Sequence, residues 1–527
     1  MSRSIRAVVV VIGLLCTVRA GLANDWPTFR HNNSRSGYTP ELFDAKSVEE
    51  AWVYGSPHPP QPAWPGPARW DSYANIRGLG SMRNYDPCFH PVIVGNRLFF
   101  GSSTDDSVRA VDVITGELLW TFTTDGPVRI APTVAGQNVY FGSDDGCAYC
   151  VTADDGKLVW KSNRVDDTKL ILNNGRFVSL SPCRTGVLVD GDVAYFAQGM
   201  LPWRNTVLYA VDRLTGRTDG PEQFATAHFG LTLEGALLAS DSHVVAPAGR
   251  VAPEVFRQTD GQHEGPVDGS GGSGVVLTDD GHILCGPGNK TGWITESDIH
   301  SRKQINVHGG AVATAVMPDG RVLVSRTRLS AYDSSGKTKR WDVPCQHHNE
   351  VIVAGNTIFV GGDDVVAAYG LDSGDLLWET PVDGAAFGLA VANGQLFVST
   401  DTGTIHCFRT SDESPAALLA AADDRGTGPS TNERSQFSSE NPLQEREEDS
   451  RSLLGHWVVH REMSASARRR GASDGDRRVS DLTGNAHARI SGAIQLREVG
   501  GVEALELDGE TNTLLITDNI KEAPLPR

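Results

Sequence analysis

The stretch "AVDVITGELLW", residues 110–120, returns in altered copies along the chain. An Asp side chain accepts backbone N–H groups and a Gly supplies positive φ, so Asp112 to Gly116 predicts a tight turn between two strands. Trp120 then stands in the returning strand, where a large ring can wedge between neighbouring sheets and bury ~150–250 Å². Ala110 is small enough to let such a ring lie flat. The same Ala-to-Trp spacing recurs from Ala331 to Trp341 and from Ala368 to Trp378, the latter with Gly374 in its turn. Other copies drift: Gly156 and Trp160 persist where Cys150 replaces the Ala, and Gly220 stands where a Trp would follow Gly216.

A second pattern alternates with the first. Apolar strands ending in small polar clusters ("RLFFGSSTDD", "NVYFGSDDG", "TIFVGGDD", "QLFVSTDTG" among them) recur roughly every 40 residues from 95 to 408. No segment carries a 3.6-residue apolar period, so the repeats are strands and turns. An all-β, eight-bladed propeller is expected, with seven blades as the alternative count. The last copy stops after Phe408 without its Trp strand, whereas "VEEAWVYG", 48–55, has Trp52 without a turn before it. Since open sheet edges invite aggregation, residues 48–54 are expected to pair beside 403–408 and close the ring.

Composition narrows the function. The net charge of −18 repels phosphate backbones and anionic headgroups, which argues against nucleic-acid or membrane-surface binding. Arg3 and Arg6 before an apolar run from Ala7 to Val18, then Gly21-Leu22-Ala23, predict a signal peptide over 1–23 and a periplasmic or extracellular protein. That run is too short for a membrane span, which needs about 20 apolar residues. Beyond Cys16 the cysteines are odd in number and dispersed, and read as small buried hydrophobes rather than a disulfide framework. Cys147 and Cys150 form a C-x-x-C, but in a strand these positions face opposite ways.

The Ala-x-Asp-x-x-Thr-Gly-x-x-x-Trp unit resembles the tryptophan-docking repeat of the PQQ-like quinoprotein propellers, over about residues 25–408. The opening "DWPTFRHNNSRSGYTP", 25–40, is similar to exported PQQ-binding-like repeat proteins. That resemblance implies the fold and leaves two activities open, because the family holds quinone-dependent dehydrogenases and cofactor-free scaffolds. The propeller is thus assigned to 24–408, followed by an acidic linker poor in aromatics, 409–452. Short strands over 453–527, with "DLTGNAH" at 481–487, resemble part of a laminin-G or concanavalin-like lectin sandwich.

Three insertions break the blade rhythm, and loops on rigid scaffolds carry function. The first, 57–87, holds Trp64, Arg69, Trp70 and Arg83; the second, 198–206, holds Trp203 and Arg204; the third, 286–303, holds Asn289, Lys290, Trp293 and His300. These Trp residues lie outside the docking unit, and rings flanked by cations suit a sugar, an aromatic ligand or a peptide. The favoured expectation is a non-catalytic, cofactor-free scaffold that binds a partner protein or glycan, similar to the scaffold propeller of the outer-membrane barrel assembly machine. The alternative is a PQQ- and Ca²⁺-dependent alcohol or sugar dehydrogenase, for which Asn289, Glu296 and Asp298 would be the calcium ligands. No adjacent Cys pair, the quinone clamp of those enzymes, is present.

Overall fold

The computed structural model describes residues 25–64, 84–163, 165, 169–272, 274–287 and 292–410, and six strands between 457 and 516. Eight antiparallel four-stranded sheets follow one another as blades 1 to 8: 92–123, 133–161, 188–229, 238–266, 274–308, 311–344, 350–381, and 386–410 with 48–55. Middle strands such as His243–Ala248 and Thr357–Gly362 are buried along their whole length. Rim strands such as Leu118–Thr123 and Leu376–Pro381 alternate between covered and exposed positions. Strands covered on both faces read as continuous apolar runs, whereas the rim keeps the period of two. The described residues contain no helix.

The apolar cores lie between blades. Val108 and Ala110 of blade 1 pack with Val139 and Phe141 of blade 2, and Tyr140 and Cys150 of blade 2 pack with Ala194 and Phe196 of blade 3. Cys147 belongs to the first of these seams and Cys150 to the second, so the C-x-x-C thiols do face opposite ways.

The turn unit folds as expected: Ile114 and Thr115 N–H groups donate to Asp112 Oδ1 at 2.9 and 2.8 Å, and Ala110 lies directly across from Trp120. The structure adds that each indole docks on the following blade. Trp52, Trp120, Trp160 and Trp341 donate Nε1–H to the carbonyls of Val113, Ala153, Arg213 and Leu371 at 2.8–3.0 Å. Each ring lies over a turn glycine, Gly116, Gly156, Gly216 or Gly374, where a Cβ would come within 2.7–2.8 Å of a ring atom. Trp378 instead meets Phe408 edge-on at 5.4 Å, because blade 8 has no such turn. Where blade 3 lacks its Trp, Phe224 covers Gly261. On blade 6 the Arg321 guanidinium covers Gly336 and donates to Ser334 O at 2.7 Å, the carbonyl an indole would use.

The ring closes through the N-terminal segment. Val48–Gly55 pairs antiparallel with Thr404–Thr410, with Trp52 opposite Cys407, as the truncated last repeat predicts. The segment before it passes around the axis and bonds to the first strands of successive blades. Ile93, Val134, Ala239, Leu277, Val316 and Val353 N–H groups, from blades 1, 2 and 4 to 7, donate to the carbonyls of Trp26, Pro27, Asn33, Ser34, Ser36 and Gly37. Asn33 Nδ2 reaches Val189 O of blade 3 at 2.9 Å. Tyr38–Thr39 then adds a parallel fifth strand to blade 7. Residues 25–39 therefore plug one end of the channel.

The chain divides into two compact units, Met1–Ser430 and Thr431–Arg527. In the second, Trp457–Val458, Arg477–Asp481, His487–Ser491 and Thr513–Ile516 form one antiparallel sheet, and Gln495–Val499 pairs with Val502–Glu506. The expected signal peptide lies outside the described residues, as does the acidic linker apart from Arg409 and Thr410, which end the last strand of blade 8 and so shift the propeller boundary from 408 to 410.

Candidate functional site

In an antiparallel blade the turn between the second and third strands and the connection to the next blade emerge at the same end. All three insertions are of these kinds, so they share one loop face opposite the plugged end. Trp64 is anchored there: its Nε1 donates to Glu234 at 2.7 Å and the Arg184 guanidinium lies 5.6 Å from its ring centre. Trp203 and Trp293 are exposed. Arg204 closes the turn after Leu201 through its backbone N–H. Arg69, Trp70, Arg83, Asn289 and Lys290 lie outside the described residues.

The third insertion is split rather than clustered. Ile294–Asp298 is a strand leading away from the loop face, so Trp293 sits at that face while Asp298 and His300 lie toward the plugged end. Glu296, in mid-strand, is held by Arg321 at 2.9 Å and by His282 and His308 at 3.1 Å each. Burial alone would raise its pKa, but the hydrogen bonds from His308 and Arg321 hold it at about 2. Asp298 accepts the Ser301 N–H at 2.6 Å, and His300 stacks edge-on with His243. Glu296 and Asp298 thus serve a seam and a turn.

Sequence reasoning missed the ion network beneath the loop face. Arg129 bridges Asp86 at 2.7 Å and Asp144 at 2.6 Å, and Arg184 binds Asp144 at 2.8 Å and Asn173 at 2.6 Å, all buried. Burial raises the Asp86 pKa, whereas at Asp144 the charges and hydrogen bonds of both arginines overcome burial and lower it. A buried pair is kept ionised only when its hydrogen bonds are made, and here they tie three interblade connections to a turn of blade 2. Also missed was a set of exposed apolar residues on the same face: Phe177, Phe229 and Val251 join Trp203 and Trp293 in following one another from the connection before blade 3 to blade 5. Phe229 ends its strand opposite Asn205, which places it beside the Trp203 loop.

On the axis a funnel of about 510 Å³ is floored by Phe29 and Arg30 of the plug and walled by Tyr85, His90, Val276, Ile294, Val312 and Phe387. Among its described lining residues Glu350 is the one carboxylate, and it pairs with Arg30. Burial pushes His90 down to about 4. Calcium prefers six to eight oxygen ligands. No group of three or more His, Cys, Asp or Glu suited to a metal occurs among the described residues. Among the described lining residues, the one carboxylate a calcium ion could use is thus already engaged by Arg30.

Ring, docked indoles and axial plug together define a PQQ-type repeat propeller. The family described as outer membrane protein assembly factor BamB matches residues 43–251 and 279–386, more than half of the chain, and the chain belongs to that family. No curated protein matches it. Among solved structures it is similar to the quinohemoprotein alcohol dehydrogenase of Comamonas testosteroni, at 14% identity and TM-score 0.53, covering 79% of this chain and 83% of that one. A europium-containing methanol dehydrogenase follows at 11% identity and TM-score 0.51, covering 73% and 98%. At such identities the likeness is one of fold. It nevertheless overturns the cofactor-free expectation as a reading of that fold, since these proteins are named for a quinohaem group and for europium. The lectin likeness of 453–527 is not confirmed by these comparisons, whose matched family residues end at 386.

Proposed function

We propose that this chain is an exported propeller scaffold that holds a partner protein on its loop face. The observation that carries this reading is the exposed apolar set, in which Phe177 and Trp203 are each 68% exposed, Phe229 72%, Val251 58% and Trp293 44%. Isolated exposed hydrophobics are ordinary, but aromatic residues gathered on one rigid face are the composition of binding hot spots. The ion network supports the same reading at one end of the set, because it fixes the connection that carries Phe177 without using that exposed ring. Family membership adds a protein-assembly context. Export rests on the leader-like residues 1–23, and residues 409–452 tether the second unit as a linker; both assignments belong to this proposal.

The test is retention of envelope proteins on the immobilised chain, compared with a Trp203→Ala, Phe229→Ala, Trp293→Ala variant. The expected outcome is loss of a specific co-purifying protein with the melting temperature nearly unchanged. Equal capture by the variant, or binding to a glycan array instead, contradicts the proposal.

The axial funnel favours a second reading, a small-molecule oxidoreductase, since its volume lies in the range of ligand sites. Adding PQQ and Ca²⁺ and following quinone absorbance and dye reduction with alcohols decides it: saturable binding with turnover would displace the scaffold reading.

A further inference from the structure

We infer that the hairpin Leu170–Asn173/Arg176–Ser179 adds an extended strand of the partner protein to its Leu170–Asn173 edge. This deepens the partner-binding reading and rests on it. The hairpin forms a two-stranded sheet by itself on the connection between blades 2 and 3. Its turn, Asn174-Gly175, has φ of 47° and 79°, the left-handed pair of a two-residue type I′ hairpin. Such a turn makes Asn173 and Arg176 a hydrogen-bonded pair, and bonding then alternates along the register Leu172↔Phe177, Ile171↔Val178, Leu170↔Ser179. Leu172, Phe177, Leu170 and Ser179 thus turn their N–H and C=O groups outward. Ser179 shows this directly, since its N–H leaves the hairpin for Asp144 O at 2.7 Å. Among the described residues, the outward groups of Leu170 and Leu172 meet no hydrogen-bond partner.

The same residues present an apolar surface. Leu170 is 61% exposed and Leu172 55%, beside Phe177, while Val178 on the other side is buried. An isolated two-stranded ribbon is marginal in water, but this one is pinned. Asn173 binds Arg184 at 2.6 Å, Asn174 Nδ2 donates to Pro62 O at 2.7 Å, and Arg176 pairs with Asp106. Arg184 also touches Met200 at 3.1 Å, which joins the hairpin to the Trp203 loop. A helix laid on the leucines would cover the side chains and leave the lateral backbone groups to water. An extended strand satisfies both, which identifies the occupant as a segment with alternating apolar residues.

The experiment selects displayed peptides of about nine residues, one library alternating Val, Ile or Tyr with Thr, Ser or Lys and one with the same residues at helical spacing, on the full chain. The expected binders come from the alternating library, protect the Leu170 and Leu172 amides from hydrogen exchange, and bind about tenfold more weakly to Leu172→Pro. That proline removes an outward N–H and leaves the hairpin's own hydrogen bonds in place. Leu172→Thr keeps the N–H and retains measurable binding. Enrichment from the helical library, binding that survives Leu172→Pro, no enrichment at all, or a wild-type dimer that Leu172→Pro dissolves overturns the inference. Partner capture lost in the Trp203, Phe229, Trp293 variant but kept in Leu172→Pro leaves the scaffold reading standing and removes only the strand addition.

Discussion

Gly156 meets two demands at once: a φ of 68° and a ring atom of Trp120 within 2.7 Å of where a Cβ would stand. Gly156→Ala therefore combines backbone strain with overpacking and is expected to cost about 2 kcal/mol in denaturant unfolding. Titration supplies a second residue-scale prediction. His31 and His90 are pushed down from 6.5 to about 4 by burial, so the folded state favours neutral rings. Their contribution is complete above pH 6.5 and is lost as pH falls toward 4. Glu296, held at about 2 against an ordinary 4.5, contributes fully above 4.5 and loses that contribution as pH falls through 2. Melting temperature against pH should fall in these two windows, and Glu296→Gln should flatten the lower one while lowering stability near neutrality by about 3 kcal/mol. An unchanged profile in that variant would remove Glu296 from the seam's electrostatics.

Among elements, the axial plug leaves little room for substitution at its glycine. Gly37 has φ of 69°, and a Cβ there would lie 2.5 Å from Arg30 Nη2. Gly37→Ala should speed hydrogen exchange at Leu277, Val316 and Val353, whose N–H groups bind the plug, and leave the Trp120 seam protected; slow exchange at all three would contradict the plug's role. None of this was legible in "DWPTFRHNNSRSGYTP", because the plug is held through backbone carbonyls that follow no side-chain period. Arg321 escaped for a related reason: a guanidinium occupying the indole's place belongs to a different strand from the missing Trp. The hairpin is a different case. "LILNNGRFVS" contains an Asn-Gly pair flanked by apolar residues, the strongest short hairpin signal, and was legible in principle.

Across the molecule, the turn glycines and tryptophans made the ring and its closure readable, since regular spacing encodes blade packing. The loop face was readable only as the place where rhythm breaks. That the Trp64 ring is held there while Trp203 and Trp293 are exposed depends on Glu234 and Arg184, far from Trp64 in sequence. The indole docks cluster at the seams from blade 8 to blade 3 and from 6 to 7, while the seams between blades 3 and 6 lack one. Blades 4 and 5 should accordingly exchange amide hydrogens sooner than blades 1 and 2. Equal protection in all four would show that indoles do not set seam strength. The most direct measurement is hydrogen exchange by mass spectrometry on peptides covering 48–55 and 404–410, in the wild type and in Trp52→Ala. The expected result is strong and matched protection of both strands, lost together in the variant. Exchange of 48–55 at unprotected rates while 404–410 stays protected would mean that the ring is not closed by its N-terminal strand.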